Sequence, residues 1–329
     1  MWSQLTEAEK LDTAREVITA LRAAGEKITG RNVAERVGAA ERTGRSYLQK
    51  IKECSGVEDS LVGTRDFHKL EHVNSEPSDP QVAFILPDWQ VGMHDAEIIE
   101  KSLALAEYLQ PDKIVHVGDE SDCTAIGRWA KGTKDEWESN LQAEIDTTHD
   151  YLSQFRDVCP QATFDICFSN HMQRFANSID TRIPGFRTLR ALTIESLYGL
   201  PELGIEMRYQ PFDLFPDVIA AHGHQYGLTS AGQYQKGSQV VKTAGKSLIA
   251  GHTHRPILAS VARGYNADMS TDFYLNVGCA MDFDSATYIS SRQPEWGFGL
   301  GIIRHENGIS YPELLIARGR NFYYDGLKF

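Results

Sequence analysis

Lys113-Ile114-Val115-His116-Val117-Gly118-Asp119-Glu120-Ser121-Asp122 is the stretch on which the fold turns. Its first five residues are short, apolar and rich in β-branched side chains, which reads as a strand. A glycine and three acidic residues then leave that strand by a turn. The same pattern recurs to either side. Residues 82–86 (Val-Ala-Phe-Ile-Leu) read as a buried strand, residues 96–109 as a helix, residues 135–155 as a long amphipathic helix and residues 162–168 as a third strand. A helical stretch is expected around residues 186–198, followed by strands at 218–221 and 247–250. Strands alternating with helices imply an α/β domain with a parallel sheet. Beyond residue 256 the helices fade, and alternating segments at 273–277 and 299–303 predict a second sheet.

The first 80 residues differ. Thr6 and Glu9 have the spacing of a capping box, and Leu11, Ala14, Val17, Ile18 and Leu21 repeat at helical intervals as far as Gly25. Shorter helices fit residues 31–37, ended by Gly38, and 41–53, with Tyr47, Leu48 and Ile51 inward. Two short helices around a glycine turn have the outline of a helix-turn-helix. Residues 54–80 are polar and end Asn74-Ser75-Glu76-Pro77-Ser78-Asp79-Pro80, a linker composition. The expected organisation is a small all-helical module over residues 1–53, a linker over 54–80 and an α/β domain over 81–329.

The chain has 329 residues and a net charge of −12, of which 41% are hydrophobic. No apolar run approaches the ~18 residues that span a bilayer, and the N-terminus lacks a basic start before an apolar stretch. The five cysteines, Cys54, Cys123, Cys159, Cys167 and Cys279, show no metal-finger spacing and fit free thiols in a reducing cytoplasm. An acidic chain is not a general nucleic-acid binder. Residues 26–53, however, hold seven basic residues against four glutamates, a net +3. In a helix-turn-helix the last helix enters the major groove, and here it would present Arg42, Arg45, Ser46, Gln49 and Lys50. The module is read either as a weak DNA- or RNA-binding element, through residues 26–53, or as a docking or dimerising helical unit.

Chemistry concentrates behind the strands. Asp88 and Gln90 follow the first, Asp119 and Asp122 the second, and Ser169-Asn170-His171 the third. His222-Gly223-His224 and Gly251-His252-Thr253-His254 follow the next two. The carboxyl ends of strands in an open α/β sheet converge on one edge, where ligands bind. Asp, Asn and His are the side chains that hold manganese, iron or zinc. One buried histidine is usually a core residue and one Gly-Asp pair usually a turn. Five in order, each at a strand end, are hard to obtain by chance.

In this arrangement the chain resembles the calcineurin-like metallophosphoesterases, whose motifs run D-x-H, G-D-x-x-D, G-N-H-[DE], H and G-H-x-H. The matching residues here are Asp88-x-Gln90, Gly118-Asp119-x-x-Asp122, Ser169-Asn170-His171, His222 and Gly251-His252-x-His254. The resemblance spans residues 81–317 and is greatest to a bacterial and phage subgroup in which a His-Asp pair, here His94-Asp95, follows the first motif. It implies a four-layer α/β/β/α sandwich of two mixed sheets and two divalent cations, Mn²⁺ foremost, with Fe, Zn²⁺ and Mg²⁺ also suited. One cation would be held by Asp88, Gln90, Asp119 and His254. The other would be held by Asp119, as a bridge, with Asn170, His222 and His252. His171 would serve the leaving group, oriented by Asp122. Two cations about 3.5–4 Å apart neutralise a phosphoester and activate the attacking water.

Gln90 stands where the family has histidine, and its carbonyl oxygen favours Mn²⁺ or Mg²⁺ over Zn²⁺. Met172 replaces the acidic residue that often follows the motif histidine. Arg174 is read either as a phosphate ligand or as a surface arginine. His224 either touches substrate or packs, and His94 either substitutes for the missing histidine or belongs to a loop. The resemblance thus implies a metal-dependent phosphodiesterase or nuclease. The alternatives are a small-molecule phosphatase or cyclic-nucleotide phosphodiesterase, and a catalytically weak binding or regulatory protein on the same scaffold. Oligomeric state is not legible.

Overall fold

The structure is a computed structural model that describes residues 5–24, 26, 28–40, 43–44, 46–47, 80–127, 131–264, 269–285 and 295–329. The chain divides into two compact units, residues 1–73 and 74–329.

In the first unit, helix α1 (Glu7–Ala23) opens on a reciprocal cap. The Thr6 hydroxyl accepts from the Glu9 amide at 3.3 Å, and the Glu9 carboxylate accepts from the Thr6 amide at 2.8 Å. Helix α2 (Gly30–Val37) is capped by Thr29, whose side chain accepts from the Asn32 amide, and ends at Gly38 with φ 70°. Ile18, Leu21 and Val33 are buried between the two helices. Most of the helix expected at 41–53, with Arg42, Arg45, Gln49 and Lys50, lies outside the described residues, as does the expected linker except for Pro80.

The second unit runs β1 (Gln81–Leu86), α3 (Ala96–Leu109), β2 (Lys113–His116), α4 (Leu141–Val158), β3 (Thr163–Cys167), α5 (Asn170–Arg182), β4 (Ile205–Arg208), β5 (Phe212–Phe215), β6 (Val218–Ala220), α6 (Gln233–Ala244), β7 (Ser247–Ala250), β8 (Ile257–Arg263), β9 (Ser270–Asn276), β10 (Gly299–Glu306) and β11 (Ile309–Ile316). One sheet has the order β11-β10-β1-β2-β3-β4, the other β5-β6-β7-β9-β8. β1 to β4 are parallel, as are β6, β7 and β9, while β10, β11, β5 and β8 pair antiparallel.

The period of two along each strand builds the layers. Ala83, Ile85 and Val115 of the first sheet pack against Val218, Ile249, Phe273 and Leu275 of the second. The alternate residues Phe84, Leu86 and Ile114 face Ile98 and Leu105 of α3 and Leu152 and Phe155 of α4. On the far side of the second sheet, Leu248, Ala250 and Tyr274 meet Val241 of α6. The architecture is the four-layer α/β/β/α sandwich of two mixed sheets that the resemblance implies. No helix among the described residues is long and apolar enough to cross a membrane.

Several local expectations are corrected. The helix expected over 135–155 is a single turn (Asp135–Glu138) followed by α4, because the Asn140 side chain accepts from the Ala143 amide at 3.1 Å and starts a new helix. Around 186–198 there are two 3₁₀ turns and one turn of α-helix (Ile194–Leu197), and the chain stays exposed through Pro184 and Gly185. The tail strands do not all form the second sheet: β8 and β9 join it, whereas β10 and β11 extend the first sheet beside β1. Cys123, Cys159, Cys167 and Cys279 are free and buried.

Candidate metal centre

Two groups of ligand-type atoms lie at the carboxyl edge of the strands, and they share Asp119. Asp88, Asp119 and His254 place ligand atoms within 4.8 Å of one another, as do Asp119, His222 and His252. Gln90 joins the first group: its amide nitrogen lies 3.1 Å from Asp119 Oδ2 and 3.3 Å from His254 Nε2. Asn170 joins the second, with Oδ1 2.9 Å from His222 Nε2. All seven side chains singled out as ligands are therefore gathered in two adjoining clusters.

The loops that carry them are stitched together. The Gln90 and Val91 amides donate to the carbonyls of Asp119 and Glu120, at 2.8 and 3.0 Å. The His252 amide donates to Asp88 Oδ2 at 2.7 Å, and the Ala280 amide to the Asp88 carbonyl at 2.7 Å. Close approach explains the motif glycines. A Cβ on Gly251 would fall 2.1 Å from Asp88 Oδ1, and one on Gly118 would fall 2.5 Å from the Cys167 carbonyl. Four non-glycine residues here hold left-handed backbones: Gln90 (φ 56°), Asp119 (φ 55°), His252 (φ 70°) and His254 (φ 58°). Such conformations are uncommon and gather at functional sites.

Electrostatics divides the carboxylates. Burial, then the neighbouring Asp119 charge, pushes Asp88 well above the ordinary carboxylate range. Burial opposes the charge on Asp119 too, but His171 and His222 beside it hold it well below. Burial keeps His252 at about 3 and His254 at about 4, so both rings are neutral near pH 7. Neutral imidazoles are the form that binds metal. His222 Nδ1 lies 2.8 Å from the Val117 carbonyl, which makes Nδ1 a donor, and Nε2 lies 3.4 Å from Asp119.

This donor set fits divalent cations. Asp88 Oδ1, Gln90 Oε1 and His254 Nδ1 are buried without a hydrogen-bond partner among the described residues. Burying the Asp88 and Asp119 carboxylates side by side also raises Asp88, a cost that a cation beside them would remove. The Gln90 amide nitrogen faces the centre, and a half-turn of the amide would present its oxygen there instead.

His171 begins α5, which Ser169 caps by accepting from the Met172 amide at 3.3 Å. Its Nδ1 lies 3.0 Å from the Asp122 carbonyl and 3.2 Å from Asp122 Oδ1, and its Nε2 lies 3.6 Å from Asp119 Oδ2. Burial lowers this imidazole, but the Asp119 charge and the Asp122 hydrogen bond outweigh burial and raise it above its ordinary value. Arg174 reaches back from the next turn: its Nη2 is 2.8 Å from His171 Nε2 and its Nη1 is 3.3 Å from the Asp122 carbonyl. A guanidinium donates only to an unprotonated nitrogen, so this contact competes with protonation of His171. His224 stands at the rim of the second cluster, its ring 5.4 Å from His222 and 6.2 Å from His252.

Sequence reading did not find the supports. Asn276, at the end of β9, donates to the Gly251 carbonyl at 2.5 Å and accepts from the Gly278 amide at 3.1 Å, bracing the loop of His252 and His254. Glu144 of α4 accepts from Ser121 at 3.1 Å, and burial pushes it up to about 7. A polar residue ending an apolar strand is the one signal that marked Asn276. His116 lies apart from the clusters, accepting from the Gly118 amide at 3.1 Å and standing edge-on to Trp89 at 4.3 Å. His94 turns away as well, to Tyr151 at 3.1 Å, and does not replace a histidine at position 90.

The two-sheet sandwich thus carries, at one strand edge, two adjoining groups of side chains that could hold metal. No family model matches the chain. Two phage proteins are similar to it along most of its length. The Gene 54 protein of Mycobacterium phage L5 is 24% identical over 248 residues, which cover 74% of this chain and 96% of that protein. The Gene 54 protein of Mycobacterium phage D29 is 24% identical over 253 residues, covering 74% and 96%. Among solved structures, Vacuolar Protein Sorting 29 from Cryptosporidium parvum aligns with a TM-score of 0.40 at 13% identity, over 76% of this chain and 95% of that one. Vps29 from Chaetomium thermophilum aligns with a TM-score of 0.33 at 12% identity, over 72% and 93%.

Proposed function

We propose that the chain is a two-metal phosphoesterase that hydrolyses phosphodiester bonds, a phosphodiesterase or nuclease brought to DNA or RNA by its N-terminal module. The observation that carries this reading is the sharing of Asp119 between two adjoining ligand clusters, the arrangement a pair of cations requires. Asp88, Gln90, Asp119 and His254 would hold one cation, and Asp119, Asn170, His222 and His252 the other. When bound, such cations neutralise the phosphoester and ionise a water for attack. Mn²⁺ suits the mixed oxygen and nitrogen donors best.

The remaining work falls to side chains. His171, held at Nδ1 by Asp122, directs Nε2 toward the shared carboxylate and gives its proton to the departing oxygen. Arg174 covers that nitrogen in the free protein. On binding, it moves to a phosphate oxygen, and the neighbouring carboxylates then favour the protonated ring. His224 contacts substrate at the rim.

The test uses full-length protein stripped with chelator and assayed on a chromogenic phosphodiester and the matching monoester. Mn²⁺ should restore cleavage, with the diester preferred, and Asp119→Ala should abolish it. A monoester or cyclic-nucleotide preference would replace the nuclease reading with a small-molecule one. Gln90 favours a second reading, a binding scaffold with weak turnover, because an amide stands where an imidazole would bind more tightly. Mn²⁺ binding without cleavage of either ester would establish that second reading.

A further inference from the structure

Helix α5 leaves the metal centre and carries the chain into a segment that the reading above does not use. Every residue from 181 to 191 is exposed. The segment is nonetheless apolar in part: Ile183, Phe186 and Leu189 are each about half exposed, at 45%, 51% and 47%. Large apolar side chains gathered on one surface mark a binding site. Arg187 stands among them, and Arg182 and Arg190 flank them. Residues 168–192 hold four arginines and one aspartate, a net +3, in a chain of net −12. Asp180 is engaged by Arg187 at 3.5 Å. Arg182 and Arg190 have no ion-pair partner among the described residues.

A cleft of about 230 Å³ runs beneath, floored by Phe168, Phe175 and Ile194 and edged by Phe186, Arg187 and Tyr209. The Phe168 and Tyr209 rings lie 4.8 Å apart at an interplanar angle of 35°. Phe168 directly follows β3 and Tyr209 directly follows β4. These strands are parallel neighbours, so the cleft opens at the same carboxyl edge as the metal centre, one strand further out. Phe175 lies about 6 Å along α5 from His171, just over one helical turn.

We infer that this lip binds single-stranded DNA, stacking unpaired bases on Phe186 and the Phe168–Tyr209 pair while Arg182, Arg187 and Arg190 hold phosphates. Exposed aromatic faces between cations are the physical means by which a single strand is held without sequence preference. A duplex hides its base faces from such rings. A protein partner would meet the apolar side chains but would leave Arg182 and Arg190 without the polyanion they match. Thr181 donates to the Asn177 carbonyl at 2.7 Å and Thr193 at the cleft donates to the Arg190 carbonyl at 3.1 Å, so these hydroxyls are already committed to the backbone and are not turned toward a ribose hydroxyl. The inference rests on the phosphodiesterase reading for where the strand leads, and not for whether it binds.

The test is fluorescence anisotropy with labelled oligo-dT on the full chain carrying Asp119→Ala, metal-free, so that nothing is cleaved. The strand should bind more tightly than a duplex of equal length. Arg182→Gln, Arg187→Gln and Arg190→Gln together should weaken binding at least about tenfold. They should also flatten the slope of log K against log salt by about 2, at about 0.7 per phosphate contact. Phe186→Ala alone should weaken binding about tenfold and leave the salt slope unchanged. Because all four side chains are exposed, the fold should survive these substitutions. Unchanged affinity in the triple variant, tighter binding of duplex or of oligo-U, or no binding by the parent at low salt would each overturn the inference. Hydrolysis of the chromogenic diester is measured separately. Cleavage there without strand binding refutes only the lip, whereas strand binding without cleavage of any ester refutes only the phosphodiesterase.

Discussion

Glu120 is an acid buried without a hydrogen-bond partner among the described residues, and replacing it with glutamine gives a direct measure of the cost of its charge. The side chain is fully buried, and neither carboxylate oxygen has a hydrogen-bond partner among the described residues. Burial, reinforced by the Asp119 charge, pushes it from 4.5 up to about 8. The unfolded chain ionises this group at its ordinary value, so between the two values folding takes up a proton. Stability from this source is therefore intact below about 4.5 and is lost as pH rises through about 8. At pH ~7 the cost is roughly 3 kcal/mol, and between pH ~5.5 and ~8 it grows by about 3 kcal/mol. Glutamine fills the same space and takes no proton, so Glu120→Gln should gain on the wild type by that amount across the range. The lowered imidazoles of His116, His252 and His254 act with the opposite sign below about 6.5, and they cancel in the difference because both proteins carry them. The assay is urea unfolding of chelator-treated protein at several pH values, followed by tryptophan fluorescence, to which the buried Trp89 contributes. A wild-type-to-variant difference that stays constant with pH would refute the reasoning.

Three further outcomes are expected. His171→Asn should slow phosphodiester cleavage by about 10²–10⁴-fold while Mn²⁺ affinity by calorimetry stays within a factor of about two, since the imidazole acts on the leaving group; a matching loss of metal affinity would make it a ligand instead. Gln90→His should tighten Zn²⁺ at least about tenfold in competition with a chromophoric chelator, and unchanged affinity would mean that position 90 does not reach the cation. Gly251→Ala forces a Cβ to 2.1 Å from Asp88 Oδ1 and should destabilise the protein by roughly 1–3 kcal/mol, with Mn²⁺ no longer raising the melting temperature.

The strand ends were legible because short β-branched runs stop abruptly at Asp, Asn or His, a signal confined to a few residues. What escaped depended on distant partners. Helix α6 carries Gly237 in its middle, which propensity counts against a helix. The packing explains the residue, since a Cβ there would lie 2.7 Å from the Tyr274 ring on β9. The choice of sheet by β10 is equally non-local. Its Gly301 backs onto Ile85 and Val277, each about 3.0 Å from where a Cβ would sit, so it fits beside β1, and nothing within β10 itself announces that neighbour. The break before α4 turned on one Asn140 side chain inside an otherwise helical pattern. At the site, the ligand types could be read from the sequence, whereas the bracing by Asn276 and the contact of Arg174 with His171 required the fold.

The backbone at the centre carries its own argument. Left-handed conformations at non-glycine residues cost of order 1–3 kcal/mol each, and Gln90, Asp119, His252 and His254 all adopt them. Packing of the two sheets does not explain these conformations, because the buried strands end before each of the four residues. What the conformations do achieve is to set Gln90 and His254 with Asp88 on one side of Asp119 and His252 on the other, where burial drives Asp88 toward its protonated form beside an ionised Asp119. The arrangement is thus unfavourable twice over in the metal-free protein, in backbone and in charge. A cation held by Asp88 and Asp119 would relieve the charge directly. It would also give a reason for the strain, since the left-handed turns are what bring donors from separate loops together on either side of Asp119. A merely structural cluster of polar residues would need neither.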